Sequence, residues 1–301
     1  MSNKCCIVIA GPTAVGKTAL AVALAQQLGT SIISADSRQC FKELEIGVAK
    51  PNAEELAAVH HYFINTHHIT ETVNAASFEQ EALAAAEAIF AEQDIAVMVG
   101  GTGLYIKAFC EGMDAIPAIP DAVREEIINN YEANGLGWLQ AQVATADPAW
   151  FAQGETQNPQ RLMRALEVVR STGQSILQFQ QGHKQQRSFR IIKVGLELPR
   201  PVLYERINQR VLQMMEAGLE AEVRGLYDQR HLNALQTVGY RELFDYIEGK
   251  YSLDEAVAKL QQNTRHYAKR QMTWFKKDES YIWLPPDEKA VATILALVNN
   301  P

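Results

Sequence analysis

Short apolar runs and helix-periodic stretches alternate through the first third of the chain. Cys5–Ala10, Ser31–Ala35 and Ile95–Val99 are runs of strand length, whereas Thr18–Leu28 and Phe78–Glu92 repeat their apolar positions at helical spacing. This order predicts an α/β fold in which a parallel sheet is flanked by helices. The pattern changes at Asp114-Ala-Ile-Pro-Ala-Ile-Pro120, where prolines end the alternation. From Asp121 to about Gln181 the pattern is mostly helical, with starts at Pro120-Asp121 and at Asn158-Pro159, a good N-cap followed by a good first helical residue. A last strand is expected at Ile191–Leu198, followed by long helices to about Lys277. The expected organisation is a core of residues 1–113 and 190–301, interrupted by a smaller helical insertion at 114–189.

Composition adds exclusions. With 301 residues, 47% of them hydrophobic, the chain can bury a sizeable core as one large domain or two packed units. No apolar run approaches the roughly 20 residues of a spanning helix, so no membrane partner is expected. Met1-Ser-Asn-Lys4 leads straight into the first strand and leaves no room for a signal peptide. Cys5, Cys6, Cys40 and Cys110 lack metal-ligand spacing and read as buried hydrophobes of a cytoplasmic protein. A net charge of −7 excludes a coat of positive charge and leaves local basic clusters as the route to nucleic acid.

The strongest motif is Gly11-Pro-Thr-Ala-Val-Gly-Lys-Thr18, a complete G-x-x-x-x-G-K-[ST] phosphate-binding loop between a strand and a helix. Gly11, Pro12, Thr13, Ala14, Val15, Gly16, Lys17 and Thr18 are therefore expected to bind a diphosphate. The two glycines permit the tight turn, successive N–H groups point at phosphate oxygens, and the helix adds its positive end. Lys17 supplies a mobile charge and the Thr18 hydroxyl is placed for Mg²⁺. The sheet is thus of the P-loop type.

Asp36 ends the second strand candidate, where ligands of open α/β sheets gather. It suits a water-mediated Mg²⁺ ligand or a general base, and equally an aspartate capping an Asp-Ser turn. The third strand ends in Gly100-Gly-Thr-Gly103, which would let backbone approach a ligand, with the Thr102 hydroxyl at the same rim. Nucleotide hydrolases of the phosphate-loop class place an aspartate at such a strand end, so glycine here argues against an ATPase.

Residues 264–277 hold five Lys/Arg and no acid. At about 100° per residue, Arg265, Lys269 and Lys276 share one face with Arg270 and Lys277 beside it, and Tyr267, Trp274 and Phe275 fall on the opposite, core side. A second basic cluster comprises Arg161, Arg164, Lys184, Arg187, Arg190 and Lys193. His60-His61 and His67-His68 fit no zinc spacing and are assigned structural roles.

Together these segments resemble the tRNA dimethylallyltransferases, also called tRNA isopentenyltransferases. The resemblance is carried by the phosphate loop, Asp36-Ser-Arg-Gln39, Ile46-Gly-Val-Ala-Lys-Pro51 and Gly100-Gly-Thr-Gly-Leu-Tyr105. It continues through Asn158–Glu167, Leu203–Asn208, Val238-Gly-Tyr-Arg-Glu242 and Thr264–Phe275, nearly the whole chain in order. The family commonly has Val-Tyr at Cys40-Phe41, Thr at Val48 and Asp at Asn65.

The resemblance implies transfer of a dimethylallyl group from its diphosphate to the N6 amine of the adenine 3′ to the anticodon, with Mg²⁺ and without ATP consumption. Asp36 is then the base and Thr102 its hydrogen-bonding neighbour. The tRNA anticodon stem-loop would meet Asp36, Ser37, Arg38, Gln39 and Thr102 at the strand ends. In the insertion it would meet Arg124, Gln160, Arg161, Leu162, Met163 and Arg164. Towards the C-terminus, Gly239, Tyr240, Arg241, Lys269, Arg270 and Lys276 complete the set, and the protein is expected to act as a monomer. The alternatives are a prenyltransferase for free adenine nucleotides, a P-loop small-molecule kinase and a non-catalytic RNA-binding protein.

Overall fold

The structure, a computed structural model, describes residues 4–182 and 184–299, the side chain of Asn299 excepted. Met1–Asn3, part of the N-terminal segment expected to lack a signal peptide, lie outside the described residues. The chain forms two compact units, one of residues up to Glu111 together with those from Gln186 onward, the other Gly112–Gln185.

The first unit begins with β1 (Cys5–Ala10), α1 (Lys17–Leu28), β2 (Ile32–Ala35), α2 (Ala53–Ala58), β3 (His61–Tyr62), α3 (Ala75–Glu92), β4 (Ile95–Gly100) and α4 (Gly103–Glu111). Every residue of β1 and β2 is buried, the signature of strands covered on both faces. Helix α3 starts three residues before the apolar pattern suggests, because Asn74 Oδ1 accepts from the Ala76 and Ser77 N–H groups and closes a capping box.

The second unit contains α5 (Asp121–Ala146), α6 (Pro148–Phe151) and α7 (Pro159–Thr172). Helix α5 is interrupted at Gly135, whose φ of 74° breaks the helical run. Asn158 caps α7 and Pro159 opens it, as expected. Ile127, Leu139, Val143, Trp150, Leu162, Met163 and Leu166 form this unit's core. Burying a side chain such as Leu162 contributes about 1.5–3 kcal/mol. It also removes Leu162 and Met163 from any RNA surface.

The chain then adds β5 (Arg190–Leu196), α8 (Arg200–Glu216), α9 (Leu219–Gly225), α10 (Tyr240–Ile247), α11 (Leu253–Phe275), β6 (Ile282–Leu284) and α12 (Lys289–Asn299) to the first unit. Among the described residues six strands pair in parallel in the order β3-β2-β4-β1-β5-β6. The chain therefore has the expected α/β fold, a parallel sheet flanked by helices. Register aligns Ala35, Gly100, Ala10 and Gly195 in one row across four central strands. That row is the carboxyl edge. Asp36, Gly101 and Gly11 follow it directly, so three sequence-distant segments emerge side by side. Strands β3 and β6 and helix α12 extend the expected element list.

Candidate active site

The loop after β1 takes the bent form its sequence predicts. Gly11, Ala14 and Gly16 have φ of 152°, 63° and 107°. A non-glycine residue held in the left-handed region at Ala14 is costly and characteristic of functional loops. A β-carbon on Gly11 would lie 2.8 Å from Leu196 O, so this position admits no side chain. Helix α1 begins at Lys17 with no side-chain cap, leaving its first N–H groups open to an anion.

A cavity of about 280 Å³ opens at the carboxyl edge. Thr13, Lys17, Thr18, Asp36, Gln39, Arg210, Gly239 and Tyr267 line it, with Ile207, Val211, Met214 and Leu260 as an apolar wall. Lys17 Nζ donates to Pro12 O at 2.8 Å. Burial pulls the Lys17 ammonium down to about 7, with the Asp36 carboxylate opposing that fall and Arg210 adding to it. Burial likewise lowers Arg210, against the pull of Asp36. Arg210 Nη1 reaches Thr13 Oγ1 at 3.4 Å. The cavity thus concentrates positive charge beside the loop.

Asp36 fills the turn-capping part its sequence context suggested and keeps its second carboxylate oxygen uncommitted. Its Oδ1 accepts from the Arg38 N–H at 2.9 Å and the Gln39 N–H at 3.3 Å, closing the turn. Its Oδ2 carries no hydrogen bond among the described residues. Thr102 Oγ1 accepts from the Ser37 N–H at 3.0 Å and contacts the Tyr267 hydroxyl, whose pKa burial pushes up to about 12. Gln39 Nε2 donates to Val48 O at 3.2 Å and Ala49 O at 2.9 Å, fixing the cavity's opposite rim.

Gly100 and Gly101 line the cavity, and the glycines after β4 are also required by packing. A β-carbon on Gly100 would collide with Ala35 O, one on Gly101 with Gln271, and one on Gly103 with Trp274.

Glu222 is a site-building residue with no motif of its own. Its carboxylate accepts from the backbone N–H groups of Glu45, Ile46 and Gly47 at 3.2, 2.7 and 3.0 Å, and from the Tyr240 hydroxyl. Tyr240 is fully buried against Gly47, so its side chain supports the loop and does not face RNA. Arg210 had a faint signal: an arginine in the stripe Ile207, Arg210, Val211, Met214, which is otherwise apolar.

The expected RNA-binding residues divide. Lys269 and Arg270 are exposed and, with His266, Thr273, Trp274 and Lys277, line a surface groove. Trp274 is 40% exposed and Tyr267 lines the cavity, so of the three aromatics assigned to the core only Phe275 is fully in it. Lys276 pairs with Glu197 at 2.8 Å, and Arg265 Nη1 donates to Asn208 Oδ1 at 2.6 Å. Arg241 is exposed and Gly239 lines the cavity. In the second unit, Gln160 is exposed, Arg161 pairs with Glu155, and Arg124 and Arg164 converge on buried Glu167 at 3.3 and 3.1 Å. Arg187, Arg190 and Lys193 form no basic face: they bind Glu79, Val298 O and Asp278.

The histidines have structural partners, His61 at Val59 O, His67 at Glu81 and His68 at Glu43. All four cysteines are free and buried. Among the described residues no cluster of three His, Cys, Asp or Glu forms a protein-only metal centre, and no helix is long and apolar enough to cross a membrane. Thr18 and Asp36 Oδ2 nevertheless offer hard oxygen donors on one cavity. That suits Mg²⁺, which uses few protein ligands and shares a substrate's phosphates.

A sequence profile described as IPP transferase matches residues 39–278. The chain belongs to the IPP transferase family. It is 47% identical to a tRNA dimethylallyltransferase of Cytophaga hutchinsonii, over 95% of this chain and 94% of that one. It is 44% identical to tRNA dimethylallyltransferase 1 of Bacteroides thetaiotaomicron, over 94% and 92%. Among solved structures, the tRNA isopentenylpyrophosphate transferase of Bacillus halodurans superposes with a TM-score of 0.72 at 34% identity, covering 99% of this chain and 96% of that one.

The departures from the common family pattern are accommodated locally. Phe41 is buried outside the cavity lining, so the hydroxyl it lacks would not enter the site. Val48 uses its carbonyl to hold Gln39. Asn65 accepts from Lys50 Nζ, keeping a hydrogen bond where the family's aspartate would make an ion pair.

Proposed function

We propose that this protein transfers the dimethylallyl group of dimethylallyl diphosphate to the N6 amine of the adenine 3′ to the anticodon in tRNA. The observation that carries this reading is one cavity holding a phosphate loop with two buried cations, a carboxylate oxygen free of hydrogen bonds and an apolar wall. A prenyl diphosphate needs the first and last of these, and its acceptor the second.

Lys17, Arg210 and the loop N–H groups bind the diphosphate, and Ile207, Val211, Met214 and Leu260 shield the prenyl chain from water. Thr18, with Asp36 through water, would hold Mg²⁺, which would further neutralise the leaving group's charge. The N6–C1 bond forms as the C1–O bond breaks, and diphosphate departs with that electron pair. An exocyclic adenine amine is a feeble nucleophile that must lose a proton as the bond forms. Asp36 Oδ2 accepts it, while Oδ1 stays committed to the turn and Thr102 orients the neighbouring backbone. Stabilising charge on the departing diphosphate is the largest expected contribution. The target base is flipped out of the anticodon loop to reach the cavity. Lys269 and Arg270 hold RNA phosphates, as do Arg124, Arg161 and Arg164 of the insertion. In this reading the protein acts as a monomer in the cytoplasm.

The test is to offer labelled dimethylallyl diphosphate to the protein with tRNA and, separately, with AMP. Label in tRNA alone supports the reading, and label in AMP alone replaces it with a free-nucleotide prenyltransferase.

A further inference from the structure

Helix α11 carries Tyr267, Gln271 and Trp274 along one stripe, spaced four and three residues apart. Tyr267 meets Thr102, Gln271 lies between Thr13 and Gly101, and Trp274 covers Gly103. Gln271 is only 7% exposed and uses both ends of its amide. Oε1 accepts from the Thr13 N–H at 2.9 Å, and Nε2 donates to Gly101 O at 2.9 Å. Thr13 immediately precedes Ala14, the left-handed residue that aims the following N–H groups. The amide therefore ties the third residue of the phosphate loop to the turn that carries Thr102.

We infer that Gln271 is a positioning residue: its amide bridge sets the phosphate loop in the form that receives the diphosphate. This rests on the loop being the diphosphate site. The bridge requires one acceptor and one donor at a fixed separation. An ionised glutamate would present two acceptors and repel Gly101 O, and a methionine would leave a buried N–H and C=O unpaired. Of the charged groups lining the same cavity, Lys17, Arg38 and Arg210 would favour an ionised carboxyl at this position and Asp36 would oppose it.

The experiment measures KM for dimethylallyl diphosphate and Kd for tRNA in Gln271→Met, Gln271→Glu and Lys17→Ala, each relative to wild type from pH 5.5 to 8.5. Gln271→Met is expected to raise KM about tenfold or more, the effect of leaving the Thr13 N–H and the Gly101 C=O unpaired, with tRNA affinity within about twofold of wild type. Gln271→Glu is expected to show its full deficit at high pH and to recover as pH falls, because a protonated carboxyl again offers one donor and one acceptor. An ionised carboxyl at 271 would raise Lys17 and so, by itself, favour the variant over wild type at high pH, the opposite of the recovery at low pH expected here, and a merely structural role would show no such recovery. If Gln271→Met does not fold, the pH profile of Gln271→Glu decides alone. A wild-type KM in Gln271→Met, or a pH-independent ratio in Gln271→Glu, overturns the inference. If Lys17→Ala raises KM while the Gln271 variants do not, only the bridge is wrong. If Lys17→Ala has no effect either, the diphosphate assignment falls and the inference with it.

Discussion

Lys17 and Asp36 line one cavity and are electrostatically coupled: burial lowers the lysine to about 7 and the aspartate limits that fall. A bound diphosphate adds negative charge and raises the lysine again. Affinity for the diphosphate is therefore complete below pH 7 and weakens as pH rises through 7, by up to about tenfold per unit until the pKa of the complex is reached. Calorimetry in buffers of different ionisation enthalpy should detect proton uptake on binding at pH 8. Binding with no proton uptake there would show that Lys17 is already charged in the free protein.

Asp36→Asn should keep the turn, since an amide oxygen can still accept from Arg38 and Gln39, while losing the base. Single-turnover transfer should fall about 10²–10⁴-fold with tRNA affinity unchanged. The same variant removes the charge that supports Lys17, so its diphosphate affinity should suffer more at pH 8 than at pH 6. A near-normal single-turnover rate would exclude Asp36 as the base.

Lys269 and Arg270 line an open groove, whereas Lys276 is engaged by Glu197. Lys269→Ala and Arg270→Ala should weaken tRNA binding and flatten its salt dependence by about 0.7–0.9 units of log–log slope for each RNA phosphate left without its cation. Lys276→Ala should do less. Equal slopes in all three variants and wild type would make this face ordinary solvated surface.

Glu222 gathers three backbone N–H groups of the 45–47 loop and the hydroxyl of Tyr240. Glu222→Ala should destabilise the protein by about 2 kcal/mol or more, seen in urea unfolding, because several hydrogen bonds to a charged group vanish together. Gly47→Ala should also destabilise, since its β-carbon would lie 2.6 Å from the Tyr240 ring. Unchanged midpoints in both would dismiss the clamp.

The local parts of this site were legible because each has short-range causes. The phosphate loop, Asp36 at a strand end and the Asn158-Pro159 helix start depend on neighbours a few residues away. Arg210, Glu222 and Gln271 act across 197, 175–177 and 258 residues of sequence, and of the three only Arg210 leaves a faint local trace, in its apolar helical stripe. Trp274 misled for a related reason. Helical periodicity placed it correctly on a face with Tyr267, but that face meets two glycine loops and a cavity, not a hydrophobic core. The two-residue strand β3 is too short to show any period.

The most direct measurement incubates the purified protein with labelled dimethylallyl diphosphate, Mg²⁺ and an anticodon stem-loop, without ATP, and maps the modified nucleoside. The account predicts label on the adenine 3′ to the anticodon, none when that base is replaced by guanine, and loss of transfer with EDTA. An absolute requirement for ATP, or label elsewhere in the RNA, would contradict it.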